Sequence, residues 1–312
     1  MPDKKPTFAL ISISNVNIDL KSASKAAIKL IDTIAAGTGR WWEPHHKVRM
    51  AQAEANAAII RVGADAKTKA IAARAAKRLL QQEIHKQKNL EAVIGAAVKA
   101  LPEEAEDKPV DNDWVTRFFN LAGEISNEKM QGVWGKVLAG ETAAPGQYSL
   151  RTLDVLKNLS QKEAEAFQRA CHLAFSEKTI SKGMEARILT SSPGRVFPEY
   201  GLSYDDVLFL KSAGLLHDSD QLSVVYDGPN KNIILNNNGI VIRASHPGET
   251  KFTFYQFLFT RAGTELLSLI EAHPNFEYLR MVPQFIHGNG YQFKRLVNSI
   301  VDGQMVITEV DI

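Results

Sequence analysis

The sequence predicts an α+β protein that is predominantly α-helical, and three observations support this fold class. Residues 47–100 contain no proline and consist mainly of strong helix formers, which predicts a long helix near the N-terminus. Residues 109–180 repeat apolar side chains at helical spacing between turn signals, which predicts a central helical bundle. After residue 181, short apolar runs alternate with turns that contain glycine or asparagine, a pattern typical of strands mixed with helices.

The chain is long enough for more than one domain, since 312 residues with 45% hydrophobic content can bury separate cores. We predict four segments: an N-terminal arm with a short amphipathic helix over 1–46, a long alanine-rich basic helix over 47–108, a helical domain over 109–180 and an α+β domain over 181–312. The acidic, proline-containing stretch that follows Leu101 marks the end of the long helix.

The N-terminal arm has an amphipathic helical pattern from Lys21 to Ala36, followed by the pair Trp41 and Trp42. This pattern fits peripheral membrane contact, with tryptophans at the interface and lysines facing anionic lipid. It also fits an ordinary helix that docks on the body of the protein, which we favour. The sequence shows neither a run of 18 apolar residues nor the order of a secretory signal, and we expect a cytoplasmic protein.

A helix over residues 47–100 would span roughly 80 Å at about 1.5 Å per residue, too long for one compact domain to cover. At 100° per residue, one set of apolar side chains falls within an arc of about 60°, and its alanines allow a partner backbone to approach closely. We therefore predict a homo-oligomer. The predicted seam consists of Val48, Ala55, Ile59, Val62, Ala66, Ala73, Leu80 and Ile84.

A basic stripe follows a different face of the same helix. The net charge of the chain is +2, but residues 40–90 carry 11 basic side chains against 4 acidic ones. Such a stripe fits a track for a nucleic-acid backbone. It also fits a solvated face, which we favour because charge runs on long helices usually face solvent and no aromatic residues are interleaved to stack bases. The candidate polyanion contacts are Arg49, Lys67, Arg74 and Arg78, with His85 in line.

Two local signals mark helix starts further along the chain. Two pairs have the spacing of a capping box: Ser160 with Glu163, and Ser203 with Asp206. In a capping box the serine side chain accepts a hydrogen bond from the backbone N–H of the acidic residue, and the acidic side chain accepts one from the backbone N–H of the serine. In the helical domain, Glu141 and Arg151 border apolar helical faces. Such a pair fits either a functional site or a buried ion pair that fixes the geometry of the two helices, and we favour the ion pair.

The helical domain contains a series of short runs at characteristic positions: Asn127-Glu128-Lys129-Met130-Gln131, Trp134, Leu138-Ala139-Gly140-Glu141, Pro145-Gly146, Ser149-Leu150-Arg151-Thr152-Leu153 and Leu156-Lys157-Asn158-Leu159-Ser160. In these runs the domain resembles an uncharacterised bacterial family, a domain of unknown function. A related pattern occurs in α-helical proteins of bacterial abortive infection, a form of phage defence. The resemblance extends from about Leu30 to Ile270, is dense only between Asp113 and Phe175, and implies a bacterial cytoplasmic defence component without known catalytic residues.

The C-terminal segment shows a helix from Ser203, several strands with a hairpin turn at Asn238-Gly239, and a helix from Thr260. This order resembles winged-helix-like modules, and the acidic residues around it favour contact with protein over DNA. We expect a loop-rich connection over 181–199. In the tail we expect a short helix over 291–300 between two strands.

The sequence shows no motif for catalysis, for metal binding or for a nucleotide cofactor. We therefore predict no catalytic, cofactor-binding or metal-binding residues and no cofactor. The favoured function is a non-enzymatic oligomeric scaffold or sensor with a protein partner, in bacterial anti-phage defence. One alternative is a nucleic-acid-binding protein that uses the basic stripe. Another is a metal-dependent nuclease whose carboxylates are distant in sequence.

Overall fold

The computed structural model describes residues 11–13, 16–18, 24–38, 54, 66–179, 183–219, 222–226, 233–245, 252–285, 292–301 and 304–311. It confirms the α+β class. The chain divides into two compact units, residues 1–153 and 154–312. The predicted division into four segments is finer than this and stays a prediction.

The N-terminal unit begins with a two-stranded antiparallel sheet, β1 (Ile11–Ile13) and β2 (Val16–Ile18). Helices follow: α1 (Lys25–Thr38), α2 (Ala66–Ala100), α3 (Asn112–Ala122) and α4 (Glu128–Ala143). Helix α5 (Leu150–Asn158) spans the boundary of the two units. Helix α2 is the C-terminal part of the predicted long helix, and its predicted start at Lys47 lies outside the described residues.

The core of the N-terminal unit forms where the last third of α2 packs against α4. Leu90, Val93, Ile94 and Ala97 of α2 are buried. The two helices approach closely at Gly135 of α4, where an added Cβ would lie 2.5 Å from the Cβ of Ala96. An aromatic group completes this core: Phe118 stacks on Trp114 at 5.0 Å between ring centroids and meets Trp134 at 5.3 Å.

The described residues of the C-terminal unit form an eight-stranded sheet. Its strands are β3 (Phe175–Thr179), β4 (Gly183–Thr190), β5 (Ser223–Tyr226), β6 (Ile233–Asn237), β7 (Ile240–Ser245), β8 (Phe252–Leu258), β9 (Gln292–Val301) and β10 (Gln304–Asp311). Their order in the sheet is β10-β9-β7-β6-β3-β4-β8-β5, and all neighbouring strands are antiparallel. The helices are α6 (Gln161–Leu173), α7 (Tyr204–Ser212), α8 (Arg261–Leu267) and α9 (Phe276–Phe285).

Several local predictions for this unit are confirmed. Both capping boxes are present, at the start of α6 and at the start of α7. The hairpin between β6 and β7 turns at Asn238 (φ 47°) and Gly239 (φ 90°). Two consecutive positive φ angles are the requirement of the tight hairpin turn that Asn-Gly predicts.

Two predictions are wrong. The loop expected over 181–199 contains β4, which pairs with β3 and β8. The short helix expected over 291–300 is strand β9, which pairs with β7 and β10. In both cases pairing with strands that are distant in sequence decides the structure, because such pairing supplies backbone hydrogen bonds and packing that local spacing does not reveal.

Tyr278 of α9 completes the sheet at a point where β3 ends. Leu189 of β4 lies beyond the last residue that pairs with β3, and its N–H and C=O are bonded instead to the Tyr278 hydroxyl, each at 2.9 Å. The tyrosine is fully buried, and burial raises the pKa of its hydroxyl far above the ordinary value. The neutral hydroxyl thus serves as both donor and acceptor for one residue of the sheet.

Candidate functional site

The structure describes part of the predicted oligomer seam. Val48, Ala55, Ile59 and Val62 lie outside the described residues, and Ala66 is the first residue of α2. Further along α2, Ala73 is exposed, Leu80 is half-buried, and Ile84 is 37% exposed.

The seam is not the face of α2 that packs inside the unit. At 100° per residue, Leu80 and Ile84 lie on average about 110° around the helix from the mean direction of the four buried α2 side chains of the core. Within the described residues, no side chain of α2 between Ala70 and Lys88 is buried, whereas burial begins at Asn89. The first part of α2 therefore projects from the core of its unit.

The basic stripe is also described in part. Arg49 lies outside the described residues, while Lys67 is in the first turn of α2. Arg74, Arg78 and His85 are exposed. The structure adds a feature that the sequence did not reveal: Arg78 and His85 line a groove of about 600 Å³ beside α2. The other lining residues are Gln81, Gln82, Lys86, Asn89, Gly123, Glu124 and Ser126.

A buried polar network holds the opposite wall of this groove against α2. Asn89 is buried and donates from Nδ2 to the carbonyl of Gly123 at 2.8 Å. Gln131 of α4 donates from Nε2 to Asn89 Oδ1 at 3.3 Å and to the carbonyl of Ile125 at 2.8 Å. Because Asn89 and Gln131 are buried, an unpaired amide on either would be costly, and these bonds therefore fix the turn between α3 and α4 in place.

A second groove, of about 430 Å³, lies between α1 and the segment that precedes α3. Lys29 Nζ donates to the Glu106 carbonyl at 2.7 Å, and Lys25 forms an exposed ion pair of 2.5 Å with Asp107. Burial lowers the pKa of Lys29, against the opposing effect of Glu106 and Asp107. The hydrogen bond and charge of Lys25 lower the pKa of Asp107. These contacts fix α1 on its own unit, while Trp41 and Trp42 lie outside the described residues.

The predicted ion pair between Glu141 and Arg151 is wrong. Glu141 is buried, and its two carboxylate oxygens accept hydrogen bonds from the backbone N–H groups of Gly146 (2.6 Å) and Tyr148 (2.9 Å). Arg151 is exposed and forms no ion pair with any described residue. The turn that follows α4 thus supplies the hydrogen bonds of this buried carboxylate. The sequence spacing between Glu141 and Arg151 does not reveal these backbone contacts.

Ion pairs that we did not predict from the sequence connect described residues of the C-terminal unit, and those of Arg187 and Arg169 are the most buried. Arg187 of β4 is buried and pairs with Glu177 at 3.2 Å and with Glu185 at 2.9 Å. Arg169 pairs with Asp206 at 2.5 Å. The only sequence signal for the contacts of Arg187 is the position of Glu185 two residues before it, which places both on one face of a strand. Both residues lie in the segment expected to be a loop. The described residues contain no cluster of histidine, cysteine or carboxylate side chains that could hold a metal ion.

Comparison with known proteins places this chain in a family. Residues 73–283 match the model of the family described as a protein of unknown function, DUF2806. The chain belongs to the DUF2806 family. No curated protein and no solved structure matches it.

The DUF2806 match runs from α2 to α9 and contains every residue that lines the groove beside α2. It also contains the described seam positions Ala73, Leu80 and Ile84. Helix α1, with its own groove, precedes the match. None of the helices in the described part of the chain has both the length and the apolar content that a membrane crossing requires.

Proposed function

We propose that this protein is a non-enzymatic scaffold or sensor that assembles into a homo-oligomer through α2. The observation that carries the proposal is the projecting part of this helix. Ile71, Leu79 and Ile84 are 53%, 42% and 37% exposed, respectively, although they are large aliphatic side chains. Full burial of one such side chain stabilises a structure by about 1.5–3 kcal/mol, so packing against a partner helix is favourable.

The positions of these side chains favour identical chains as the partner. Leu79 lies on the same side of α2 as the buried core side chains, whereas Leu80 and Ile84 lie on the predicted seam, on average about 110° from the mean direction of those side chains. Ile71 lies between the buried side and the basic stripe. One partner helix covers one such arc, so two neighbouring helices are needed, and a symmetric bundle of copies supplies them. The basic stripe lies on a third arc of α2. In such a bundle this arc faces solvent, where the repulsion between like charges of neighbouring copies is weak.

The test is the native mass of the full chain and of two charge-matched variants. The variant Leu80→Glu with Ile84→Glu places two carboxylates on the seam, and Gln81→Glu with Gln82→Glu places two on the groove side of α2. We expect an oligomer for the unchanged protein and for the second variant, and a monomer for the first. A monomeric unchanged protein, or equal masses for both variants, would contradict the proposal.

The partner surface that we propose is α7 in the C-terminal unit. Tyr204, Leu208 and Phe209 of this nine-residue helix are exposed. Helix α7, the β6–β7 hairpin, β8 and α8 follow the order of a winged-helix-like module, and the acidic first turn of α7 favours a protein partner.

The cellular role that we propose is a component of anti-phage defence in the bacterial cytoplasm, which rests on the sequence resemblance. Plaque counts on a host with and without the gene test it. We expect fewer plaques with the gene, and equal counts across a phage panel would contradict this role.

A further inference from the structure

We propose that the groove beside α2 binds the phosphate backbone of a nucleic acid. Arg78 and His85 line it from the same face of α2, about 10 Å apart along the helix axis. Neither side chain has a hydrogen-bond or ion-pair partner among the described residues. Lys86, also in the lining, has a long contact of 3.4 Å with Glu83, and exposed ion pairs of this kind are weak. These basic groups are therefore available to an anion.

The groove has a fixed shape, which distinguishes it from a row of charges on a solvated helix. Its far wall, from Gly123 to Ser126, is held to α2 by the hydrogen bonds of Asn89 and Gln131. A ligand that enters thus meets cations on one side and a preformed wall on the other, so that little conformational entropy is lost on binding. Glu124 lies in the same wall and reduces the positive potential, which predicts modest affinity.

The charges continue beyond the groove, and this favours a linear polyanion over a single phosphate group. Arg74 lies one turn from Arg78 on the same face of α2. From Arg74 to His85 the row spans about 16 Å at about 1.5 Å per residue. The described residues that line the groove include no phenylalanine, tyrosine or tryptophan side chain, so contact with the backbone is expected without base stacking. The binding should be insensitive to base sequence.

The experiment measures binding of fluorescent single-stranded and duplex DNA by anisotropy between about 50 and 200 mM salt. The test variant is Arg78→Gln, and the control is Lys77→Gln, which removes the same charge from the adjacent exposed position outside the groove. We expect Arg78→Gln to weaken binding about 3- to 10-fold and to lower the slope of log K against log salt by about 1. Lys77→Gln should weaken binding less than about 2-fold.

Three outcomes would overturn the proposal. The first is absence of DNA binding at about 50 mM salt, where backbone contacts are strongest. The second is an equal loss for Arg78→Gln and Lys77→Gln, which would show a diffuse field rather than this groove. The third is binding to vesicles that contain phosphatidylserine, or to inorganic phosphate, without binding to DNA, which would assign the groove to a different anion.

Discussion

At the scale of single residues, Asp206 is a buried carboxylate whose ionisation is favoured by its hydrogen-bond partners. Burial of its carboxylate opposes ionisation, but hydrogen bonds from Arg169 and Ser203 outweigh this effect and lower the pKa below the ordinary 3.8. Ser203 donates from both its N–H (2.9 Å) and its hydroxyl (2.8 Å) to Oδ2. The charged carboxylate therefore stabilises the start of α7 and the pair with α6.

We expect Asp206→Asn to lower the free energy of unfolding at pH 7 by about 1–2 kcal/mol, since it removes a helix cap and a charged hydrogen bond. Because the folded pKa is depressed, this contribution is complete above the unfolded pKa near 3.8 and is lost as pH falls through the folded pKa. Denaturant unfolding at several pH values measures it. The exposed neighbour Asp205→Asn is the control, and a difference that persists unchanged in strong acid would contradict the assignment.

At the scale of helices, the packing of α2 on α4 depends on Gly135. A Cβ added there would lie 2.5 Å from Ala96 Cβ and 2.8 Å from the backbone nitrogen of Ala97, so the helices would have to separate. We expect Gly135→Ala to destabilise the N-terminal unit by about 1–3 kcal/mol, as overpacking does.

Gly132 in the same helix is a matched control, because an added Cβ meets no atom within 4 Å. Gly132→Ala should be neutral or stabilising by up to about 1 kcal/mol through helix propensity. Thermal unfolding of the two variants measures the difference. Equal melting temperatures would show that the close approach at Gly135 is not required.

The elements that the sequence predicts well are those whose signals are local. The capping box of Ser160 and Glu163 lies within one helical turn, and the hairpin turn depends on the adjacent residues Asn238 and Gly239. Both features are present. Strand β9 has Phe293, Leu296, Val297 and Ile300 at helical spacing, yet pairing with β7 and β10 makes it a strand. The pairing partners of β9 begin at residues 240 and 304, and a pattern within ten residues contains no information about them.

At the scale of the whole molecule, the sequence indicates the α+β class and the charge layout but not the candidate site. Arg78 and His85 stand out in the helical projection, whereas the groove requires the turn at Gly123, and Asn89 and Gln131 hold that turn from different helices. The polar stretch after Leu101 has the composition of a linker. It is nevertheless tied to the N-terminal unit, because Glu106 N–H donates to the Ala143 carbonyl at 2.8 Å.

The two units have separate cores, and this predicts how substitutions in them combine. Tyr278→Phe removes the hydroxyl that is hydrogen-bonded to Leu189 in the C-terminal unit, and we expect the free energy of unfolding to fall by about 1–3 kcal/mol. Combined with Gly135→Ala, its effect should add within about 0.5 kcal/mol, because the described contacts of each site lie within its own unit. Denaturant unfolding of the single and double variants measures the coupling.

A pair within one core should behave differently. Ala96→Gly removes the Cβ that an alanine at position 135 would meet, so the double variant of Gly135→Ala with Ala96→Gly should be more stable than the sum of its single effects. Couplings of about 0.5–3 kcal/mol are usual for residues in contact. Strong coupling between positions 135 and 278, with none between positions 96 and 135, would contradict the assignment of the two cores to separate units.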